Sequence, residues 1–355
     1  MEKSNIMSLM DKLKKQSTVK DTATLAQSKF FAESDMVPTD VPMVNVALSG
    51  SADGGITPGL TVLAGPSKHF KTSFALLMAS SYLEAKKDAV MLFYDSEFGS
   101  PQSYFETFGI DTNRVLHTPV KDVEQLKIDL VGQLENLDPT DDVIIVIDSV
   151  GNLASKKELD DALDGKSVAD MSRAKAFKSL FRMTTPYLNM KKIPMIAINH
   201  TYKEIGLYPK DIVSGGTGIM YSADNVWIIG RRQNKTGTDV TGYDFVIKVE
   251  KSRYAKENSK IPISVSWEGG VEKWSGLLEV ALAGGYVEKP SNGWYQRAGT
   301  DKKVRKDVTL TEEFWSPIFA ETDFKDFLKK QYQIGLQSVI ENDIMEEHIE
   351  NVESE

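Results

Sequence analysis

The pair Lys71-Thr72, preceded by Gly65-Pro66-Ser67-Lys68-His69-Phe70 and followed by Ser73, has the residue types to hold nucleotide phosphates. The apolar run Leu60 to Ala64 reads as a buried strand before it, and Ser73 to Ala79 reads as the start of a helix. Strand, tight loop and Lys-Thr opening a helix is the context of a phosphate-binding P-loop. Loop N–H groups and the positive helix end would hold phosphate oxygens. Lys71 would reach the β and γ phosphates, and the Thr72 hydroxyl would ligate Mg²⁺. Phe70 stands where the pattern has its second glycine. Phe at positive φ is an outlier, so the loop is expected to close with dihedrals that a bulky residue tolerates. An ordinary turn with a chance Lys-Thr would look the same, so the P-loop needs support from later strand ends.

Three later apolar runs end in polar groups suited to ATP hydrolysis. Asp95-Ser96-Glu97 follows Ala89 to Tyr94, and Glu97 can orient or deprotonate a water. Asp148-Ser149 follows Val143 to Ile147 as a Walker B signature, with Asp148 contacting Mg²⁺ directly or through water. Asn199-His200-Thr201 follows Ile193 to Ile198, placed to sense a γ-phosphate. Any one of these could be a carboxylate or amide capping the next helix. Three in series after a P-loop are hard to obtain by chance.

The elements that must position these groups alternate. Val123 to Leu134 and Met171 to Leu188 have apolar residues at helical spacing between the strands. Asn225 to Gly230, Asp244 to Val249 and Ile263 to Trp267 read as further strands, the later ones antiparallel. The expected fold is α/β, a mainly parallel twisted sheet with helices on both faces. Val37-Pro38 and Val41-Pro42 break helical pattern, and Gly50 to Gly59 is a turn region. From about Leu277 a small helical region is expected, with a loop over Lys289 to Val308. The expected division is an N-terminal arm and linker over 1–40, a core over 41–275, a small region over 276–340 and a tail over 341–355. The arm would pack on its own domain or dock on a neighbouring subunit.

With 355 residues, 41% hydrophobic and 26% charged, the chain has an ordinary globular composition. It has no cysteine, which excludes disulfides, thiol catalysis and cysteine-bound zinc and fits a reducing compartment. No apolar run is long enough to span a membrane, and no signal-peptide pattern opens the chain. The expected location is cytoplasmic. The net charge is −9, but residues 341–355 alone hold seven carboxylates and no Lys or Arg. Such a block reads as a solvated tail, and the nearly neutral remainder leaves nucleic-acid binding open.

The residues so far, with Phe93-Tyr94-Asp95-Ser96-Glu97-Phe98-Gly99, Asn152 to Glu158, Ala197 to Tyr202, Gly215-Gly216 and Met220 to Asp224, are similar to those of a known family. Over about residues 20–315 the chain resembles the RecA recombinases, in the wording of the UvsX recombinases of T-even-like phages. The resemblance implies a RecA-type P-loop ATPase core with a short N-terminal helical arm and a small C-terminal region. It implies ATP and Mg²⁺ as ligands, Glu97 as the catalytic glutamate and Tyr104 as the residue that stacks on adenine. His200 stands where bacterial RecA has glutamine, which adds a pH dependence.

Two segments match the family's DNA-binding loops. The first, about 155–168, carries Lys156, Lys157 and Lys166, with Arg173, Lys175 and Lys178 on the helix after it. The second, about 201–214, carries Tyr202, Lys203, Tyr208 and Lys210 and closes on Gly215-Gly216. Basic and aromatic residues in such loops can track phosphates and stack bases without reading sequence. Lys251 and Arg253 match a pair of cations that reaches the neighbour's ATP across the subunit interface. The implied activity is DNA-dependent ATP hydrolysis with strand exchange, in phage DNA recombination, repair and recombination-dependent replication. The implied partners are single- and double-stranded DNA, further copies in a helical filament, a recombination mediator and a single-stranded-DNA-binding protein. A hexameric DNA helicase with the same core is the alternative, and a non-enzymatic ATP-binding regulator a third reading.

Overall fold

The computed structural model describes residues 2–28, 36–165, 172–204, 209–236, 239–267 and 270–335. Lys166, Tyr208 and the acidic tail lie outside the described residues. In chain order the main elements begin with α1 (Glu2–Gln16), α2 (Pro42–Ser49), β1 (Gly59–Ala64), α3 (Lys71–Ala85), β2 (Val90–Asp95), α4 (Gln102–Thr107) and β3 (Val115–Pro119). Next come α5 (Val123–Asn136), β4 (Val143–Asp148), α6 (Lys156–Leu163), α7 (Ser172–Met190), β5 (Pro194–Asn199), β6 (Thr201–Lys203), β7 (Asp211–Val213) and α8 (Thr217–Ser222). The sheet is completed by β8 (Asn225–Thr236), β9 (Asp239–Ser252), β10 (Lys260–Ser266) and β11 (Gly270–Val271). The last part holds α9 (Leu277–Ala283), β12 (Val287–Ser291), β13 (Trp294–Arg297), β14 (Val304–Arg305), α10 (Glu312–Glu321) and α11 (Phe324–Tyr332).

One nine-stranded sheet runs β11-β10-β9-β8-β1-β5-β4-β2-β3. The pairs from β8 through β1 to β3 are parallel, and β8-β9-β10-β11 are antiparallel. Every residue of β1, β4 and β5 is buried, which is why they read as continuous apolar runs. Helices cover both faces. One core joins α2 and α3 to the sheet through Phe74, Leu76, Phe93 and Trp227. The other joins α5 and α7 to it through Leu126, Leu130, Phe177 and Phe181.

Four local expectations change. The Val41-Pro42 break is the start of α2, with Pro42 in the first turn, where a missing N–H costs nothing. Gly50 ends α2 at φ 73, and a Cβ there would sit 2.5 Å from the Gln333 backbone. The first loop is not all loop, because Ser155 and Glu158 form a capping box that starts α6. Where a loop over 289–308 is expected, 287–305 forms a three-stranded antiparallel sheet, β12-β13-β14. Its signal was Asn292-Gly293, a hairpin turn pair, with Gly293 at φ 76. Strand β3, mostly exposed at the sheet edge, has no apolar pattern to announce it.

Candidate functional site

Parallel register brings the polar strand ends side by side. Asp95 pairs with Asp148 across β2 and β4, and Ala64 pairs with Asn199 across β1 and β5. At the end of β1 the P-loop turns through Lys68 at φ 62 and Phe70 at φ 60, ψ 18. Phe70 therefore does adopt the left-handed conformation that the sequence reading excluded. The reason is tertiary. Its ring stacks on Phe245 of β9 at 4.9 Å and meets Phe74 edge-on at 5.3 Å. Left-handed backbone costs about 1–2 kcal/mol, and each aromatic pair contributes about 0.5–1.5 kcal/mol beyond burial, so packing offsets the strain.

Within the loop, Pro66, Ser67 and Lys68 are exposed, and Gly65 is buried. His69 Nδ1 donates to Ser67 O at 2.8 Å, and burial lowers the His69 pKa. Arg231 Nη1 donates to Lys68 O at 3.1 Å. The Ser73 hydroxyl is hydrogen-bonded to that of Tyr104, whose ring stands edge-on to Phe108 at 5.5 Å.

Lys71 Nζ donates to Pro66 O at 2.8 Å. Burial lowers its pKa, opposed by the charges of Glu97 and Asp148. Thr72 Oγ1 donates to Asp148 Oδ2 at 2.8 Å. The other oxygen, Asp148 Oδ1, is buried and has no partner among the described residues. Burial pushes the Asp148 carboxyl up to about 6, with the charges of Glu97 and Asp95 adding and the Thr72 bond opposing. A buried, unpaired carboxylate oxygen beside a P-loop hydroxyl is a hard-oxygen donor set that fits Mg²⁺.

Glu97 is held at both ends. Asp95 Oδ1 accepts from the N–H groups of Glu97 at 2.9 Å and Phe98 at 2.8 Å. Glu97 Oε1 accepts from Ser149 Oγ at 2.5 Å, Asn152 Nδ2 at 2.9 Å and His200 Nε2 at 3.2 Å. A carboxylate only accepts, so the His200 proton is on Nε2. The His200 bond, then the Ser149 bond, hold the Glu97 pKa below its ordinary value against burial. Sequence reasoning counted Asn152 only among the residues that carry the resemblance and gave it no role at Glu97. The turn before it is tight: a Cβ on Gly151 would lie 2.4 Å from His200 Cδ2.

The second loop starts from this centre. Asn199 Nδ2 donates to Ser214 O at 2.9 Å, and Ser214 Oγ donates to Asn199 Oδ1 at 2.7 Å. Between them β6 and β7 form an antiparallel hairpin. Tyr202 is 55% exposed on it, Lys210 is exposed, and Lys203 pairs with Asp211 at 2.9 Å. Gly215 (φ 88) and Gly216 (φ 82) turn the chain into α8.

The first segment contributes exposed Lys156 on α6 and exposed Lys178 on α7, with Lys175 on the same helix. Lys157 pairs with Asp161 at 2.6 Å. Arg173 is engaged within the chain. Its Nε donates to Leu153 O at 2.7 Å, and its Nη2 donates to Gly151 O and, at 3.4 Å, to Val150 O. From α7 the side chain reaches back to the turn that follows β4.

Lys251 and Arg253 sit at the end of β9, both engaged within the chain. Lys251 Nζ donates to the carbonyls of Met220 (2.8 Å), Tyr221 (3.3 Å) and Ala223 (2.7 Å), capping α8. Arg253 Nε lies 2.5 Å from buried Asp224, with its side chain 61% exposed.

Among the described residues no helix is long and apolar enough to cross a membrane. No group of three or more His, Cys, Asp or Glu forms a metal cluster among them.

Two family models match the chain. A family model of the RecA N-terminal domain matches residues 5–272. A model of the C-terminal domain of the bacteriophage T4 recombination and repair protein matches residues 274–328. The chain is 50% identical over 355 residues to the recombination and repair protein of Enterobacteria phage T4, covering 97% of this chain and 90% of that protein. It is 25% identical over 316 residues to protein RecA of a Nocardioides species, covering 88% and 86% of the two chains. It is 26% identical over 269 residues to protein RecA of Streptomyces coelicolor, covering 75% and 69%. The chain belongs to the RecA family, in the branch whose C-terminal domain is that of the phage T4 recombination and repair protein.

Proposed function

We propose that the chain is an ATP-dependent recombinase that polymerises on single-stranded DNA, pairs it with homologous duplex and exchanges strands. One observation carries the reading. Glu97, the group suited to activating water, is hydrogen-bonded to His200, and the residues flanking His200 hold the base of the second DNA loop. A change at the γ-phosphate is thereby felt by the base and by the loop together.

The P-loop N–H groups and Lys71 hold the β and γ phosphates, which draws Lys71 away from Pro66 O. Thr72 and Asp148 would hold Mg²⁺, which when bound supplies charge neutralisation for the phosphate oxygens. Glu97, ionised and with Oε1 occupied by three donors, takes a proton from the attacking water on its other oxygen. His200 moves its Nε2–H from Glu97 to the γ-phosphate and back as the nucleotide turns over. Tyr104, partly buried beside Ser73, offers its ring to the adenine.

Exposed Tyr202, Lys203 and Lys210, with Lys156 and Lys178, supply stacking faces and charge for single-stranded DNA without base readout. Lys251 and Arg253 serve the neighbour's nucleotide, with the partly exposed Arg253 the freer of the two. The arm, whose Leu9, Met10 and Leu13 stay exposed, docks on another copy. In this reading 41–275 is the working core, and the host cytoplasm is the compartment. The test is DNA-stimulated ATP hydrolysis with strand exchange on homologous substrates, together with electron microscopy. Filaments and joint molecules are expected; closed rings without exchange would overturn the reading.

A further inference from the structure

Glu97 is pinned through one oxygen by three side chains. In the proposed cycle His200 leaves that oxygen, so Ser149 and Asn152 alone keep the carboxylate in place during turnover. Ser149, directly after β4, is fully buried. Asn152 is exposed and belongs to a single 3₁₀ turn, Val150–Asn152, that has no side-chain cap at its start. A lone uncapped turn is a poor support for a positioning bond.

Arg173 supplies the missing restraint. Its guanidinium donates to the carbonyls of Val150, Gly151 and Leu153, which flank Asn152 on both sides. The guanidinium lies over the Phe177 ring at 5.4 Å. Arg173 sits in the first turn of α7, where Ser172 Oγ and Ser155 Oγ are 2.6 Å apart at the base of the first DNA segment.

We propose that Arg173 and Asn152 are positioning residues for Glu97, a relay from the first turn of α7 through the 150–153 turn to the carboxylate. The inference rests on the hydrolytic reading of Glu97. It assigns Arg173 to catalysis rather than to DNA phosphates, and the two roles respond differently to lysine. A phosphate contact needs charge, which lysine keeps. A clamp on several carbonyls needs the planar fork, which lysine lacks.

The experiment uses the full chain with single-stranded DNA and compares Asn152→Ala, Arg173→Lys, their combination and Arg173→Ala. Thermal unfolding checks that each folds, and exposed Asn152 gives a variant expected to do so. Asn152→Ala lowers kcat by about tenfold, with KM and DNA affinity unchanged within about twofold. Arg173→Lys shows the same split, and the double variant is no slower than the slower single one, because both act on one bond. The proposal is overturned if Arg173→Lys keeps parental kcat. It is equally overturned if Arg173→Ala loses DNA affinity and about one unit of salt slope while keeping kcat, or if the two kcat losses multiply. A parental protein that hydrolyses no ATP with DNA present would instead remove the functional reading beneath it.

Discussion

His200 Nε2 donates to Glu97 Oε1 at 3.2 Å, so the residue we assign to the γ-phosphate and the residue we assign to the attacking water share one proton. Neither can change partner without the other responding. Separate roles read from two strand ends thus become one coupled unit.

That coupling separates binding from turnover. Lys71→Ala removes the ammonium at the P-loop and abolishes tight ATP binding. Glu97→Gln retains nucleotide binding and filament formation but lowers turnover by roughly 10²–10⁴, the range for a general base. Equilibrium nucleotide binding and steady-state hydrolysis check both; parental turnover in Glu97→Gln would remove the base assignment.

Asp148 carries a stability cost. Its folded pKa of about 6 lies above the ordinary 3.8, so the folded protein holds that proton more tightly. The cost is absent below about pH 4, grows through the interval and is complete above about pH 6. Asp148→Asn is expected to stabilise the metal-free protein at about pH 7.5 by on the order of 2–3 kcal/mol, and to change nothing at acid pH. Thermal unfolding at the two pH values reads it, and an Asn variant less stable at neutral pH would refute it.

Phe70 gives an ordered series. Phe70→Gly loses the ring contacts with Phe74 and Phe245 but relieves the backbone. Phe70→Ala loses the ring and keeps a Cβ at φ 60, an added cost of about 1–2 kcal/mol. Melting temperature should fall in the order parent, Gly, Ala. Ala at or above Gly would mean the loop re-forms without the left-handed turn.

Among the described residues of the second loop, Tyr202 is the exposed ring. Tyr202→Ala should weaken single-stranded DNA binding by about 1–3 kcal/mol, with little dependence on base composition and an unchanged salt slope. Fluorescence anisotropy over a salt series checks this. A loss confined to one base would mean direct readout.

The strand β9 end predicts assembly. Arg253→Ala should bind ATP yet be inactive as a filament, and added Lys71→Ala subunits, which keep Arg253, should restore some turnover at mixed interfaces. Lys251→Ala should also lower thermal stability, because Lys251 caps α8 in its own chain. No restoration at any ratio, with mixed filaments shown by co-sedimentation, would return Arg253 to a structural role on Asp224.

By itself the sequence determined the P-loop, the strand ends at Asp95, Asp148 and Asn199, and the α/β class. Each is written in contiguous residues: an apolar run, a turn, then a helix start, with backbone geometry doing the rest. The short sheet at 287–305 was legible only through Asn292-Gly293, and edge strand β3 not at all, because an exposed strand needs no apolar pattern. Contacts across the sheet were decided by tertiary structure. Strand order puts β4 between β2 and β5, and so brings Asn152 and His200 onto Glu97 from 55 and 103 residues away. Phe70 accepts a glycine's dihedrals because β9 offers Phe245, and Arg173 turns inward because the 150–153 carbonyls lie within its reach. Long-range packing selects among side-chain roles that local sequence leaves equivalent, since a cation after a loop can serve a phosphate or a carbonyl with the same atoms.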